Sequence, residues 1–137
     1  MRPTPQNNWQ RPQSLREVVA GAESPEDIGY NLAEFLDEWN ARKKLRNGRA
    51  SLWAAIRVEP PPTGNAVHDA YLAAVAAHLA HTMRLPVPRW ANKKSRKLVH
   101  PWFALPYGWA RAELLRSSPA AFRERNLFTT EDALRRV

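Results

Sequence analysis

The side chains of this chain with chemical potential fall into three groups: a run of cations over residues 84–116, four histidines, and a set of acids on one predicted helix. In the first group Arg84, Arg89, Lys93, Lys94, Arg96, Lys97, Arg111 and Arg116 are opposed only by Glu113. Trp90, Trp102, Phe103, Tyr107 and Trp109 are interleaved with them. Cations that attract phosphates or carboxylates, alternating with rings that cover bases or apolar groups, make a binding surface and not a catalytic one. Arg89, Lys93, Lys94, Arg96 and Lys97 are therefore the expected partner-binding cations, with Trp90 as an aromatic anchor. The ordinary alternative for the lysines is a solvated loop, and the core is the expected place for Trp102, Phe103 and Trp109.

The other groups lack what catalysis needs. His78 and His81 stand three apart, a spacing at which two imidazoles can share a metal, but no acid sits at ligand spacing and the chain has no cysteine. His78 shares a helical stripe with Tyr71 and Val75, so a histidine at the edge of the core is expected. His68 and Asp69 can orient one another, yet no serine in a strained turn accompanies them. Glu34, Asp37 and Glu38 read as a solvated face, and Pro62 to Asn65 is too short to cradle a phosphate. The chain is thus expected not to be an enzyme, and to need no cofactor and no metal.

The 137 residues carry a net charge of +8, with 44% hydrophobic and 25% charged residues, which suits one globular domain. Lysine plus arginine outnumber aspartate plus glutamate by only nine to eight over residues 1–60, but by twelve to five over residues 61–137. The positive excess lies in the second half. Twelve prolines against five glycines keep regular elements short. The absence of cysteine excludes disulfides, thiolate metal sites and cysteine nucleophiles. No apolar run is long enough to span a membrane, and the N-terminus is polar and proline-rich, so a cytoplasmic protein without membrane partners is expected.

Residues 1–13 read as a flexible arm, with Trp9 as its one anchor, and residues 14–137 as the domain. Ser14 and Glu17 have capping-box spacing and open a short helix that stops near Gly21. Ser24 and Pro25 start a second helix, in which Ile28, Leu32, Phe35, Leu36 and Trp39 form one face and Asn47-Gly48 the stop. A third spans about 50–58, and an alanine-rich fourth about 65–83. Further helices are expected over about 108–116, at Ser118-Pro119, and from Thr129 to Arg136. With no alternating β-branched runs, the expectation is an all-α fold of five to seven short helices. The second and third helices form a weak helix-turn-helix candidate whose polar positions are Arg49, Ser51 and Arg57.

Three groups of strings carry a resemblance. They are residues 116–128 (RSSPAAFRERNLF), residues 69–79 (DAYLAAVAAHL), and the pair Leu85-Pro86-Val87-Pro88-Arg89-Trp90 with Pro101-Trp102-Phe103. Together they resemble a family of small actinobacterial proteins often encoded beside nucleotidyltransferase-like genes in pairs that look like toxin and antitoxin. The resemblance covers most of the chain from Ser14 onward; the basic segment Lys93 to Lys97 departs from the family pattern. It implies an antitoxin-like protein that neutralises a cognate toxin by direct contact, and the charge pattern leaves a DNA- or RNA-binding regulator as the alternative. In the last string Phe122 is expected inward, Arg123 and Arg125 outward, and Asn126 in a left-handed turn that returns Leu127 and Phe128 to the core. The oligomeric state is left open.

Overall fold

Ser14 takes up extended backbone and its hydroxyl accepts the Glu17 amide at 3.2 Å, while the Glu17 carboxylate accepts the Gln13 amide at 2.8 Å. These two bonds start α1, Leu15–Ala20, which ends at Gly21; the Glu17 carboxylate reaches the amide one residue before the cap and not that of Ser14 itself. A computed structural model describes residues 10–105, 107–130 and 134. Trp9, most of the expected arm and residues 131–133 and 135–136 of the expected last helix lie outside the described residues. Residues 11–13 of that arm are tied to the domain: Arg11 pairs with Glu34, and Arg42 donates to the carbonyl and to the side-chain oxygen of Gln13.

Pro25 occupies the first turn of α2, Pro25–Lys43. Ser24 precedes the helix in extended backbone but its side chain makes no cap bond; the Asp27 carboxylate accepts the Glu23 amide at 2.9 Å. All five residues of the predicted stripe, Ile28, Leu32, Phe35, Leu36 and Trp39, are buried. Gly48 precedes α3, Arg49–Arg57, where a Cβ would stand 2.4 Å from the carbonyl oxygen of Arg42. The glycine is required by this close approach of two backbones. Arg49, a base-reading position in the helix-turn-helix alternative, instead donates to the carbonyls of Met83 and Arg84 at 2.7 and 2.6 Å. It closes the C-terminal end of the next helix, where carbonyls lack intrahelical partners.

That helix, α4, Ala66–Thr82, is the centre of the molecule. The Asn65 side chain caps its start by accepting the His68 amide at 3.0 Å. From Ala70 to Ala80 only Tyr71 and His78 are not fully buried, so the helix is wrapped on all sides and not exposed along one face. α3, a pair of 3₁₀ turns at Arg89–Asn92 and Lys94–Arg96, and α6, Ala120–Arg123, pack on it. α5, Arg111–Ser117, follows a further 3₁₀ turn at Gly108–Ala110. The fold is all-α, with six α-helices among the described residues, and none of these is long and apolar enough to cross a membrane.

Two features of the C-terminal half were not legible as drawn above. A two-residue parallel ladder joins β1, Trp102–Phe103, to β2, Leu127–Phe128, although no strand was expected. Asn126 does adopt φ 65°, and its side chain donates to the Leu98 carbonyl, so the chain turns back and buries Leu127 and Phe128. Arg125, expected outward, is 1% exposed. Its guanidinium donates to the carbonyls of Ala121 and Ala91 and to the Asn92 side chain at 2.8 to 3.1 Å. These carbonyls compensate its desolvation, which lowers its pKa. Ser118, also buried, accepts the Thr129 amide at 2.8 Å and closes the same clasp.

Gly48→Ala is expected to destabilise the protein by about 1 to 3 kcal/mol through overpacking. Gly29→Ala, mid-helix with nothing within 4 Å of the added Cβ, is expected to stabilise it by about 0.5 to 1 kcal/mol. Urea unfolding of the two variants beside the parent checks both signs.

Candidate functional site

Pro86 and Pro88 hold Leu85 to Pro88 extended, because the residue before a proline is excluded from the helical region. The chain then enters the two 3₁₀ turns, separated by an extended Lys93, and the expected binding residues divide between inside and outside. Arg89, Lys93, Lys94 and Lys97 are exposed. Trp90 and Arg96 are buried, at 5% and 2% exposure.

The burial of these two is built bond by bond. The Trp90 indole donates to the Ile56 carbonyl at 3.0 Å, satisfying an oxygen in the last turn of α3. The Arg96 guanidinium lies over the Trp90 ring, 4.9 Å from its centre. It donates to the Pro60 carbonyl at 2.7 Å, the Asp69 carbonyl at 3.1 Å and the Glu59 carboxylate at 3.1 Å, with the Asp69 carboxylate 3.8 Å away. Asp69 is held in turn by the amide and hydroxyl of Thr63. The other oxygen of Glu59 accepts Lys93 at 2.7 Å. That bond from Lys93, together with Arg96, holds the Glu59 carboxyl below its usual range despite partial desolvation. Arg96 is therefore an internal brace and not a surface cation, while Trp90 is anchored through its indole and presents little of its ring outward.

Outside this brace lies a groove of about 830 Å³. Trp53 and Trp90 contribute aromatic wall, Pro86 to Pro88 the opposing apolar wall, and Arg57, Arg89 and Lys93 its cations. Glu59 is the one acid among the described lining residues, and it faces Lys93. Trp53 was not singled out as a binding residue by the sequence, and Arg57 only as a polar position of the helix-turn-helix alternative. Their helix reads as a core element, and only its packing beside residues 86–93 makes its last turn a groove wall. Lys94 and Lys97 are exposed but do not line the groove.

The remaining aromatics also divide. Phe103 is half-buried, stacks on Phe128 with centres 5.1 Å apart, and carries Arg111 at 4.9 Å from its ring centre. Trp102 is half-buried against the core. Trp109, expected inside, is 80% exposed and stacks on Tyr107 at 5.5 Å and 6°. It falls in the 3₁₀ turn before α5, where Ala110 is the residue that turns inward. His78 lies half-buried near Phe122, while His81 is exposed. No three His, Asp or Glu side chains among the described residues come together to hold a metal.

This architecture defines the molecule as a small all-α protein with a basic, aromatic-walled groove braced from within by a buried arginine. No family model, curated protein or solved structure matches the chain.

Arg96→Met is expected to cost about 3 kcal/mol of stability, since it leaves buried carbonyls and two acids without their shared donor. Lys94→Ser and Lys97→Ser should stay within about 0.5 kcal/mol of the parent. Chemical denaturation of the three separates brace from surface. His78 gives a pH test. Burial, reinforced by His81, depresses its pKa from the ordinary 6.5. The unfolded chain then binds more protons below that pH, so stability is complete above about pH 6.5 and falls as the pH drops toward the folded-state value. The thermal midpoint should fall on acidification from pH 7 to 5, and less steeply in His78→Leu; equal slopes would remove His78 as the cause.

Proposed function

We propose that this protein is a non-catalytic, antitoxin-like binding protein whose basic groove receives an acidic segment of a partner protein. The partner class that the family resemblance implies is a nucleotidyltransferase-type toxin, silenced by direct contact near its active site. The observation that carries the reading is the groove itself: three cations, Arg57, Arg89 and Lys93, ring apolar walls of tryptophan and proline, with Glu59 as the single opposing acid among the described lining residues. Such a site supplies an anchor pocket at its centre and charge at its rim, the arrangement protein interfaces use for affinity and steering. Lys94 and Lys97 extend the positive field beside it. A partner of this class is cytoplasmic, and the proposal carries that location with it.

A second reading, a DNA- or RNA-binding regulator, is favoured by one separate observation. The exposed stack of Tyr107 and Trp109, with Arg111 two residues on, offers a flat ring to an unpaired base.

The test is co-expression with the product of the neighbouring nucleotidyltransferase-like gene, followed by nuclease treatment and purification. A stoichiometric, nuclease-resistant complex and relief of growth arrest are expected. In the triple variant Arg57→Ser, Arg89→Ser, Lys93→Ser the affinity should fall about tenfold at low salt, from three rim charges of about 0.5 kcal/mol each, and its salt dependence should flatten. Affinity unchanged in the triple variant would remove the groove from the interface. Recovery of nucleic acid alone, lost on nuclease treatment, would put the regulator first.

A further inference from the structure

Gly48 brings the turn after α2 against the Arg42 carbonyl, and the next residue, Arg49, donates to the carbonyls of Met83 and Arg84. The C-terminal ends of α2 and α4 and the start of α3 therefore meet at one end of the molecule. Lys43, Lys44, Arg46, Arg49 and Arg84 are all exposed there. None of Lys43, Lys44, Arg46 and Arg84 is paired with a described acid. The sequence has no Asp or Glu from Trp39 to Val58 or from Ala70 to Ala112, and the nearest acid back along α2, Glu38, is held by Arg42 at 3.2 Å.

The backbone of Arg84 is an observation of a different kind. Its φ is 55°, in the left-handed region that glycine occupies without steric cost. The Leu85 amide donates to the Ala80 carbonyl at 2.8 Å and the Arg84 amide to the His81 carbonyl at 3.3 Å, the bonds of a helix stop whose left-handed position is ordinarily glycine. The chain keeps an arginine where its backbone is better served by a residue with no side chain. Such an outlier points to a role for the side chain outside the fold. Helix dipoles favour cations at these ends, but they do not require one in the left-handed position.

The cluster also constrains its ligand. Cations without acidic partners, and with no exposed ring among residues 43–49 and 83–85, suit a polymer of closely spaced negative charges that is gripped by its backbone and not by its bases. Leu45 is the one large apolar side chain exposed among them, too little to seat the protein in a lipid surface.

We infer that this end of the molecule grips the phosphate backbone of a nucleic-acid duplex, with Lys44, Arg46 and Arg84 as contacts and Arg49 as the tie between their two turns. The inference rests on the nucleic-acid reading above and adds backbone contacts to it. None of these residues lines the groove assigned to the protein partner.

Binding of the full chain to a fluorescein-labelled duplex of about 20 base pairs of mixed sequence, and to one of its single strands, is followed by anisotropy between about 50 and 200 mM KCl. A duplex Kd of about 10 μM or tighter is expected at the lower salt, weakening steeply as salt rises. Lys44→Ser with Arg46→Ser should weaken duplex binding about tenfold and lower the slope of log Kd against log salt by about two. Lys94→Ser with Lys97→Ser removes the same charge beside the groove and should change Kd by less than about threefold. Arg84→Gly should weaken binding about threefold and yet raise the thermal midpoint, because glycine relieves the left-handed turn. Far-UV circular dichroism confirms that each variant is folded. Duplex binding that the two charge-matched pairs weaken equally, or that Arg84→Gly leaves at the parent's Kd, overturns the inference while the nucleic-acid reading stands. Binding to the single strand alone does the same. Absence of binding to either form overturns both, whether or not vesicles of anionic lipid retain the protein.

Discussion

A guanidinium that is almost wholly removed from water must have its charge and its donors answered on the spot, and Arg96 meets that demand with groups from three separate stretches of chain. Glu59 and Pro60 come from the exit of α3, Asp69 from the first turn of α4, and the Trp90 ring from the preceding 3₁₀ turn. Removing such an ion from water costs several kcal/mol unless every partner is in place. The 89–97 segment therefore closes onto the domain only when the α3 exit and the α4 entry hold their positions, and the groove beside it inherits their geometry.

A second buried guanidinium braces the same segment from the other side. Arg125 reaches across to the Ala91 carbonyl and the Asn92 side chain while also bonding Ala121 in α6. The left-handed turn at Asn126 and the short β1–β2 ladder then return the chain along residues 98–103. The basic segment is short of regular structure but is clamped at both ends. A rim cation carried on a clamped backbone loses less entropy when it meets a partner than one on a free loop, which favours recognition by a preformed surface.

The helices were legible because their signals are local. The Ser14 and Glu17 pair, Pro25 after Ser24, and Asn65 at the head of α4 each act within one turn, and the Ile28 to Trp39 stripe repeats at the helical period. The candidate site was legible as a place but not as a list of residues. Arg89, Lys93, Lys94 and Lys97 lie outside as charge alone suggests, whereas Arg96 and Trp90 lie inside. Arg57 and Trp53, on a helix that reads as core, turn out to wall the groove. A cation in sequence is presumed solvated, because burying one is costly. Only partners distant in the chain, such as Glu59 at 37 residues from Arg96, overturn that presumption.

The same reasoning separates the two remaining surprises. Trp109 is the kind of side chain that cores take up, but the turn that carries it presents Ala110 to the interior, and the ring is left to stack on Tyr107. Arg125 sits in a string where Phe122 and the Asn126 turn behave as their residue types dictate, yet its own side chain is drawn inward by carbonyls of residues 91 and 121. Residue type and spacing by themselves determined the all-α class, the starts of the principal helices and the basic character of the second half, since caps, proline restrictions and net charge act without reference to distant chain. Which cations brace and which face solvent, where the groove opens, and which aromatic is left outside were decided by tertiary structure, because each depends on whether a hydrogen-bond partner far away in sequence arrives to offset the cost of burial.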